Sequence, residues 1–204
     1  MTGSSKHESK TLPEYVLAII NLFEHNDIRV VVGGALAAVY YMPPRLTTDV
    51  DINVSCDEQH SSRPLDLLSD QLHAQVTHRH RETSKQDGQA IGIDLGNNIR
   101  LDIFFHIGQF SDFIFDNSRR VQFGGEEISI MSPEGIIACK AIFNRAKDWL
   151  DINNILLDTP LDAGKLKEVL CDIAHMDDCY QQIMKMVKQI DTFELDVVAR
   201  QKDF

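Results

Sequence analysis

The sequence predicts an α+β protein in which a mixed β-sheet flanked by helices is followed by a C-terminal helical region. Three observations predict it. DVDINV (49–54) alternates polar and apolar residues with the period of a strand, and QAIGIDLG (89–96) and NIRLDIFFHI (98–107) are strand-like runs about the turn Gly96-Asn97-Asn98. From Ser132 onward the apolar residues recur at helical spacing instead. The change of character near residue 130 divides the chain into a disordered tail (1–10), a core (11–130) and a helical domain (131–204).

The elements follow in order. Thr11 caps a first helix that has Pro13 in its first turn, and Val16, Ile19, Ile20 and Phe23 form its apolar stripe. IRVVVGG (28–34) is a short buried strand ending in two glycines, ALAAVYYM (35–42) a second helix, and Pro43-Pro44 its stop. In DVDINV, Asp49, Asp51 and Asn53 face one way and Val50, Ile52 and Val54 the other. A helix is expected over Leu65 to Val76, and THRHRE (77–82) is expected to be a polar, mobile link. Strand character returns around RRVQFGG (119–125) and EEISIM (126–131). Three helical stretches close the chain: 132–157, 161–174 and 177–193.

Composition limits the function. A chain of 204 residues can bury a substantial core. No apolar run reaches the ~20 residues of a membrane helix, and the polar start MTGSSKHESK lacks the apolar centre of a signal peptide, so a cytoplasmic protein with no membrane partner is expected. The formal net charge of -11 argues against an extended nucleic-acid footprint but leaves room for a local basic pocket. The four cysteines, Cys56, Cys139, Cys171 and Cys179, form no CxxC pair, so neither a zinc site nor a disulfide framework is expected.

Asp49 and Asp51 project from one face of a strand, where two bare carboxylates repel and raise each other's pKa. A divalent cation removes that cost. Asp102, the one acid of RLDIFF, completes a three-acid cluster if its strand lies beside 49–54; such oxygen ligands suit Mg2+ or Mn2+. An Asp-x-Asp by itself is also the pattern of an exposed strand edge. Gly33 and Gly34 stand upstream at a strand-to-helix junction, where backbone N–H groups can receive phosphate, although glycines occur at such junctions for steric reasons too.

Taken together, GGALAAVYYMPPRLTTDVDI (33–52) resembles the signature of the nucleotidyltransferase superfamily with the polymerase-β-type catalytic core: a Gly-Gly turn, a short helix, then Asp-x-Asp on a strand. The spacing Arg45-x-Thr47-x-Asp49-x-Asp51 is similar to the AbiEii/AbiGii toxin branch. So is SPEGIIACKAIFNRAKDWLDI (132–152), where Lys140 matches that branch's lysine and Arg145, Lys147, Asp148 and Asp151 its later group.

The resemblance implies transfer of NMP from an NTP to an acceptor hydroxyl on tRNA or protein, with a cognate antitoxin as a possible partner. It implies Asp49, Asp51 and Asp102 as metal ligands, with Asp102 also able to take the acceptor's proton. It further implies Gly33, Gly34, Arg45, Thr47, Lys140, Asp148 and Asp151 as nucleotide-binding residues, with Lys140 also catalytic. A small-molecule, antibiotic-type acceptor and a non-catalytic nucleotide-binding module are the alternatives.

On one continuous helix Lys140, Asn144, Lys147 and Asp151 would share a stripe, either facing the triphosphate or forming a solvated face of mutual ion pairs. Arg45 is equally suited to a phosphate and to an aspartate partner. For THRHRE a solvated segment is expected over an RNA contact, for His106 a structural hydrogen bond, and for Trp149 a place in the core.

Overall fold

A computed structural model describes residues 10–201. The expected tail at 1–10 falls almost wholly outside the described residues. The chain orders itself as α1 (Leu12–Glu24), β1 (Val30–Val32), α2 (Gly34–Ala38), β2 (Asp49–Asp57), α3 (Ser62–Leu72), α4 (His78–Asp87), β3 (Gln89–Gly96) and β4 (Ile99–His106). Then come α5 (Gly108–Asp116), β5 (Arg119–Phe123), β6 (Glu126–Ile130), α6 (Pro133–Phe143), α7 (Ala146–Asp158), α8 (Ala163–Lys167) and α9 (Asp177–Gln201). The six strands form one mixed sheet in the order β3-β4-β2-β1-β6-β5, the α+β architecture the sequence predicts.

Parallel pairing of β2 with β4 positions the site. Its register sets Val50 beside Leu101 and Ile52 beside Ile103, and these four side chains are fully buried. Alternation then puts the residues between them on the opposite face: Asp49 beside Arg100, Asp51 beside Asp102, and Asn53 beside Phe104. A slip of one residue would send the aspartates into the apolar core, so the buried valines and isoleucines specify the register that assembles the polar face. β1 is buried throughout and pairs antiparallel with β2 and parallel with β6, which brings the Gly33-Gly34 turn alongside Asp51.

α1 has the capping box and apolar stripe read from sequence: Thr11 and Glu14 cap it, and Val16, Ile19, Ile20 and Phe23 are buried. Asn97 and Asn98 both take positive φ, as a two-residue hairpin turn of β3 and β4 requires.

Several expectations are corrected. The stretch 132–157 is not one helix: Asn144 adopts a left-handed φ of 51° and ends α6, and Arg145 and Asp148 form the capping box that starts α7. Lys140, Asn144, Lys147 and Asp151 therefore share no single stripe. THRHRE is not a link but opens α4, with Thr77 as N-cap and Gly88 as a left-handed C-cap. The helix expected to reach Val76 stops at Leu72, where His73 turns left-handed. α2 has five residues rather than eight, and α5 occupies a segment to which the sequence pattern assigned nothing. The stretch 161–174 is α8 followed by a π-helical turn, Glu168–Ile173.

Candidate active site

A cavity of about 580 Å3 opens between the polar face of the sheet and helices α5 and α6. Asp49, Asp51 and Asp102 all line it, as do Gly33, Gly34, Arg45, Thr47, Lys140 and Asp148. Of the residues singled out in the sequence for nucleotide binding, Asp151 alone is not in the lining; it stands behind Lys140.

Each carboxylate has a distinct environment. Burial, then the charges of Asp102 and Asp49, push the Asp51 carboxyl up to about 6. Asp51 fills the space left by Gly34: a Cβ added there would lie 1.8 Å from its Oδ2, and Gly34 holds a φ of +55°. The glycine thus makes room for the carboxylate within the site. Asp102 Oδ1 accepts from the backbone N–H of Gly92 at 2.6 Å, and Oδ2 accepts from Arg100 Nη2 at 3.2 Å. Arg100 Nε also approaches Asp49 Oδ1 at 3.8 Å, and its guanidinium is held protonated above its ordinary value, first through the hydrogen bond to Asp102.

Among the described residues, no group of three or more His, Cys, Asp or Glu side chains is drawn together as a metal-binding cluster. Arg100 instead reaches two of the three acids. The donor set nevertheless suits a hard divalent cation, because it is oxygen-only and the carboxyl of Asp51 stays raised although Lys140 and Arg100 offset part of the repulsion from its neighbouring acids.

The second half of the site is a buried ion network under α6 and α7. Lys140 Nζ donates to Asp151 Oδ2 at 2.5 Å and lies 3.9 Å from Asp148 Oδ1. The backbone folds back at Asn144, which is how residues eleven apart in sequence meet without sharing a helix. Arg45 Nη2 reaches the same Asp151 oxygen at 3.1 Å, so the arginine has an aspartate partner. Asp148 is 1% exposed and receives the backbone N–H, Nε and Nη2 of Arg145; burial raises its carboxyl, but these bonds outweigh burial and hold it below its ordinary value. Thr47 Oγ1 accepts from the backbone N–H of Asp49 at 3.2 Å and so fixes the start of the Asp-x-Asp strand.

Other sequence candidates lie elsewhere. His106 hydrogen-bonds Asp112 at 2.7 Å and stacks on Phe115, outside the cavity lining. THRHRE also lies away from the lining, with Arg81 on Asp66 and His80 on Thr77. Trp149 is half-buried against the core, its indole N–H donating to Asn144 Oδ1 at 2.7 Å. The cysteines are unpaired thiols.

Sequence reasoning overlooked Arg100, although the alternation that selects Asp102 selects the residue two positions before it as well. It also overlooked the apolar wall from α5, for which no motif exists.

Residues 13–199 match the model of a family described as "Nucleotidyl transferase of unknown function (DUF2204)". No curated protein matches the sequence significantly. Among solved structures, an antigenic nucleotidyltransferase-like protein from Paracoccidioides brasiliensis aligns with a TM-score of 0.54 and 16% identity, over 86% of this chain and 92% of that one. The antibiotic-resistance factor ANT(2'')-Ia aligns with a TM-score of 0.50 and 11% identity, over 94% of this chain and 97% of the other. At these identities the likeness is one of fold.

Proposed function

The chain belongs to the nucleotidyl transferase family whose model spans it, and from that premise we propose that it transfers NMP from an NTP to an acceptor hydroxyl in the cavity between β2, β4 and α6. One observation carries the proposal: Asp49, Asp51 and Asp102, from two adjacent strands, line a single cavity with the buried Lys140.

In the reaction the acceptor oxygen forms a bond to the α-phosphorus while the bond to the pyrophosphate oxygen breaks. The acceptor's proton passes to Asp102, the acid nearest the β3 side, or to solvent. Lys140, kept in place by Asp151, meets the triphosphate, and Arg45 and Thr47 border the same end. The turn at Gly33 and Gly34 brings backbone beside the phosphates, with Asp51 against it. Asp49, Asp51 and Asp102 would hold Mg2+ or Mn2+, which supplies charge neutralisation at the attacking and leaving oxygens. Asp148 and Arg145 act on Lys140 as positioning residues, as does Asp151. In this reading residues 11–130 form the catalytic core and 131–204 the helical domain that completes the nucleotide end.

The sequence segments around Arg45 and Lys140 extend the proposal to the AbiEii-like branch, in which a toxin modifies tRNA or a protein hydroxyl and is held by an antitoxin. That extension rests on those two segments, and its macromolecular acceptor is the alternative to the small molecule for which the lining of the cavity argues below. A second reading, a nucleotide-binding module without turnover, is favoured by Arg100, which already reaches Asp49 and Asp102.

The test is incubation with each α-labelled NTP, Mg2+ or Mn2+, and total RNA, total protein or a small-molecule extract, comparing the wild type with Asp51→Asn. Label transfer that disappears in the variant supports the enzyme. NTP binding with no transfer to any acceptor replaces it by the binding module.

As to compartment, no helix among the described residues is long and apolar enough to cross a membrane.

A further inference from the structure

We infer that the acceptor is an uncharged small molecule with an apolar body, seated between the β3–β4 end of the sheet and α5; this inference rests on the transfer reading above.

In-line displacement puts the attacking and leaving oxygens on opposite sides of the α-phosphorus. The leaving pyrophosphate belongs at the Gly33-Gly34 and Lys140 end, so the acceptor must enter from the other side of Asp102. Strand order says what is there. β4 is followed by β3 at the edge of the sheet, and α5 leaves β4 immediately after it.

The cavity lining at that end is Gln89, Phe104, Ile107, Phe110 and Ile114, with the Ser111 hydroxyl already accepting from the backbone N–H of Ile107 at 2.8 Å. Gln89 and Phe104 are register partners across β3 and β4, so they offer one amide beside one aromatic ring. Ile107 is 56% exposed at the mouth while Ile114 is buried, which grades the wall from an open apolar rim to a closed apolar interior.

Charge disfavours a nucleic acid and a cationic drug. Beyond Asp102 and the Arg100 bonded to it, this end of the lining carries no cation for a polyphosphate backbone and no acid for a polyamine. The lining's cations stand at the nucleotide end or on the catalytic acids: Arg45 on Asp151, Lys140 on Asp151 and Asp148, Arg145 on Asp148, and Arg100 on Asp49 and Asp102. Among the described residues that leaves Lys147 as the lining cation with no ion pair. A tRNA would find almost nothing free to neutralise it, and the formal net charge of -11 opposes its approach.

The test separates pocket from chemistry. Binding of two neutral probes, octyl β-D-glucopyranoside below its micellar concentration and 4-nitrophenyl β-D-glucopyranoside, is measured by calorimetry on the full chain, alongside total tRNA and a cationic aminoglycoside. Transfer from α-labelled NTP is assayed with the same panel. The glucosides are expected to bind the wild type, and Phe110→Asp to weaken them at least tenfold while labelled ATP binding changes by less than twofold.

Ile107→Asp, at an exposed position, repeats the comparison should Phe110→Asp fail to fold. Absence of glucoside binding, indifference of both variants, or binding and labelling of tRNA or the aminoglycoside instead would each overturn the inference. Glucoside binding with the variant effect but no transfer to any acceptor supports the pocket assignment and overturns the transfer reading alone.

Discussion

Asp51 and Asp102 are direct neighbours across the parallel β2–β4 pair, and Arg100, two residues before Asp102, stands opposite Asp49 in the same register. The polar face is therefore a square of three acids and one cation. Arg100 is half exposed, so its contribution to folding is modest, of about 1 kcal/mol or less. Its effect on cation affinity is larger in kind, because it occupies two carboxylates at once. Arg100→Ala is expected to lower the melting temperature slightly in chelator and to tighten Mn2+ binding several-fold, read by electron paramagnetic resonance. Unchanged or weaker Mn2+ binding in the variant would show that Arg100 does not compete for these acids.

Gly34 and Gly33 make different demands. Gly34 has φ +55° and no room for a Cβ against Asp51, whereas at Gly33 the nearest atoms to an added Cβ are Met131 Cε at 3.1 Å and Asn53 Nδ2 at 3.3 Å, both ends of side chains that can shift. Gly34→Ala should cost at least ~2 kcal/mol, combining left-handed strain of about 1 kcal/mol with displacement of the carboxylate. Gly33→Ala should cost clearly less. Adding Asp51→Gly to Gly34→Ala should recover the displacement part in urea denaturation. No recovery would mean that backbone strain alone sets the cost.

What could be read in advance follows from which signals are local. The alternation in DVDINV is local, and it separates Val50, Ile52 and Val54 from Asp49, Asp51 and Asn53 correctly. That Asp102 faces the same cavity depends on β2 pairing with β4, a long-range choice that sequence can state only as a condition. The break between α6 and α7 is hidden because Asn144 and Arg145 interrupt no apolar pattern; the left-handed Asn144 and the Arg145–Asp148 cap become visible only in three dimensions. α4 escapes notice for the opposite reason. HRHRETSKQD has no apolar stripe, and the helix is held by its Thr77 cap and by the buried hydrogen bond from Ser84 to Ser61 at 3.0 Å. Periodicity is silent where end caps and a polar contact do the anchoring.

The Lys140–Asp151 pair gives a prediction about stability separate from chemistry. Both side chains are nearly inaccessible, 8% and 5% exposed, so removing Asp151 leaves the Lys140 ammonium away from water with only Asp148, 3.9 Å away and already held by Arg145, to balance it. Asp151→Ala should therefore destabilise by roughly 3 kcal/mol or more, since a broken buried pair costs far more than an absent one. Lys140→Met with Asp151→Leu should be less destabilising than Asp151→Ala alone, because neither charge is left. Denaturant titrations of the single and double variants make the comparison. A double variant as unstable as the sum of the singles would deny that the two charges compensate each other. NTP binding should be lost in both cases, because Lys140 is removed or unheld.

Asp51 sets the pH dependence of the metal-free protein. Its carboxyl is raised from 3.8 to about 6, first by burial and then by Asp102 and Asp49, so the folded state binds a proton more tightly than the unfolded chain. Stability then falls as pH rises between the two values, because the folded state holds more protons there, and it levels off above about 6. The full penalty is on the order of 2–3 kcal/mol, at ~1.36 kcal/mol for each pH unit between the two values. This slope opposes that of carboxylates such as Asp148, whose lowered value favours the folded state as pH rises. Asp51→Asn keeps the shape and removes the titration, so the difference between wild type and variant isolates the effect. Urea midpoints in chelator should show the variant gaining on the wild type from about pH 4 to about 6, the window between the unfolded and folded values, and holding that gain at higher pH. Saturating Mg2+ should shrink that gain, since a cation held by the ionised carboxylate offsets the burial cost. A gain that is absent in chelator would mean that Asp51 is better solvated than its burial indicates. A gain that Mg2+ leaves untouched would place the cation elsewhere.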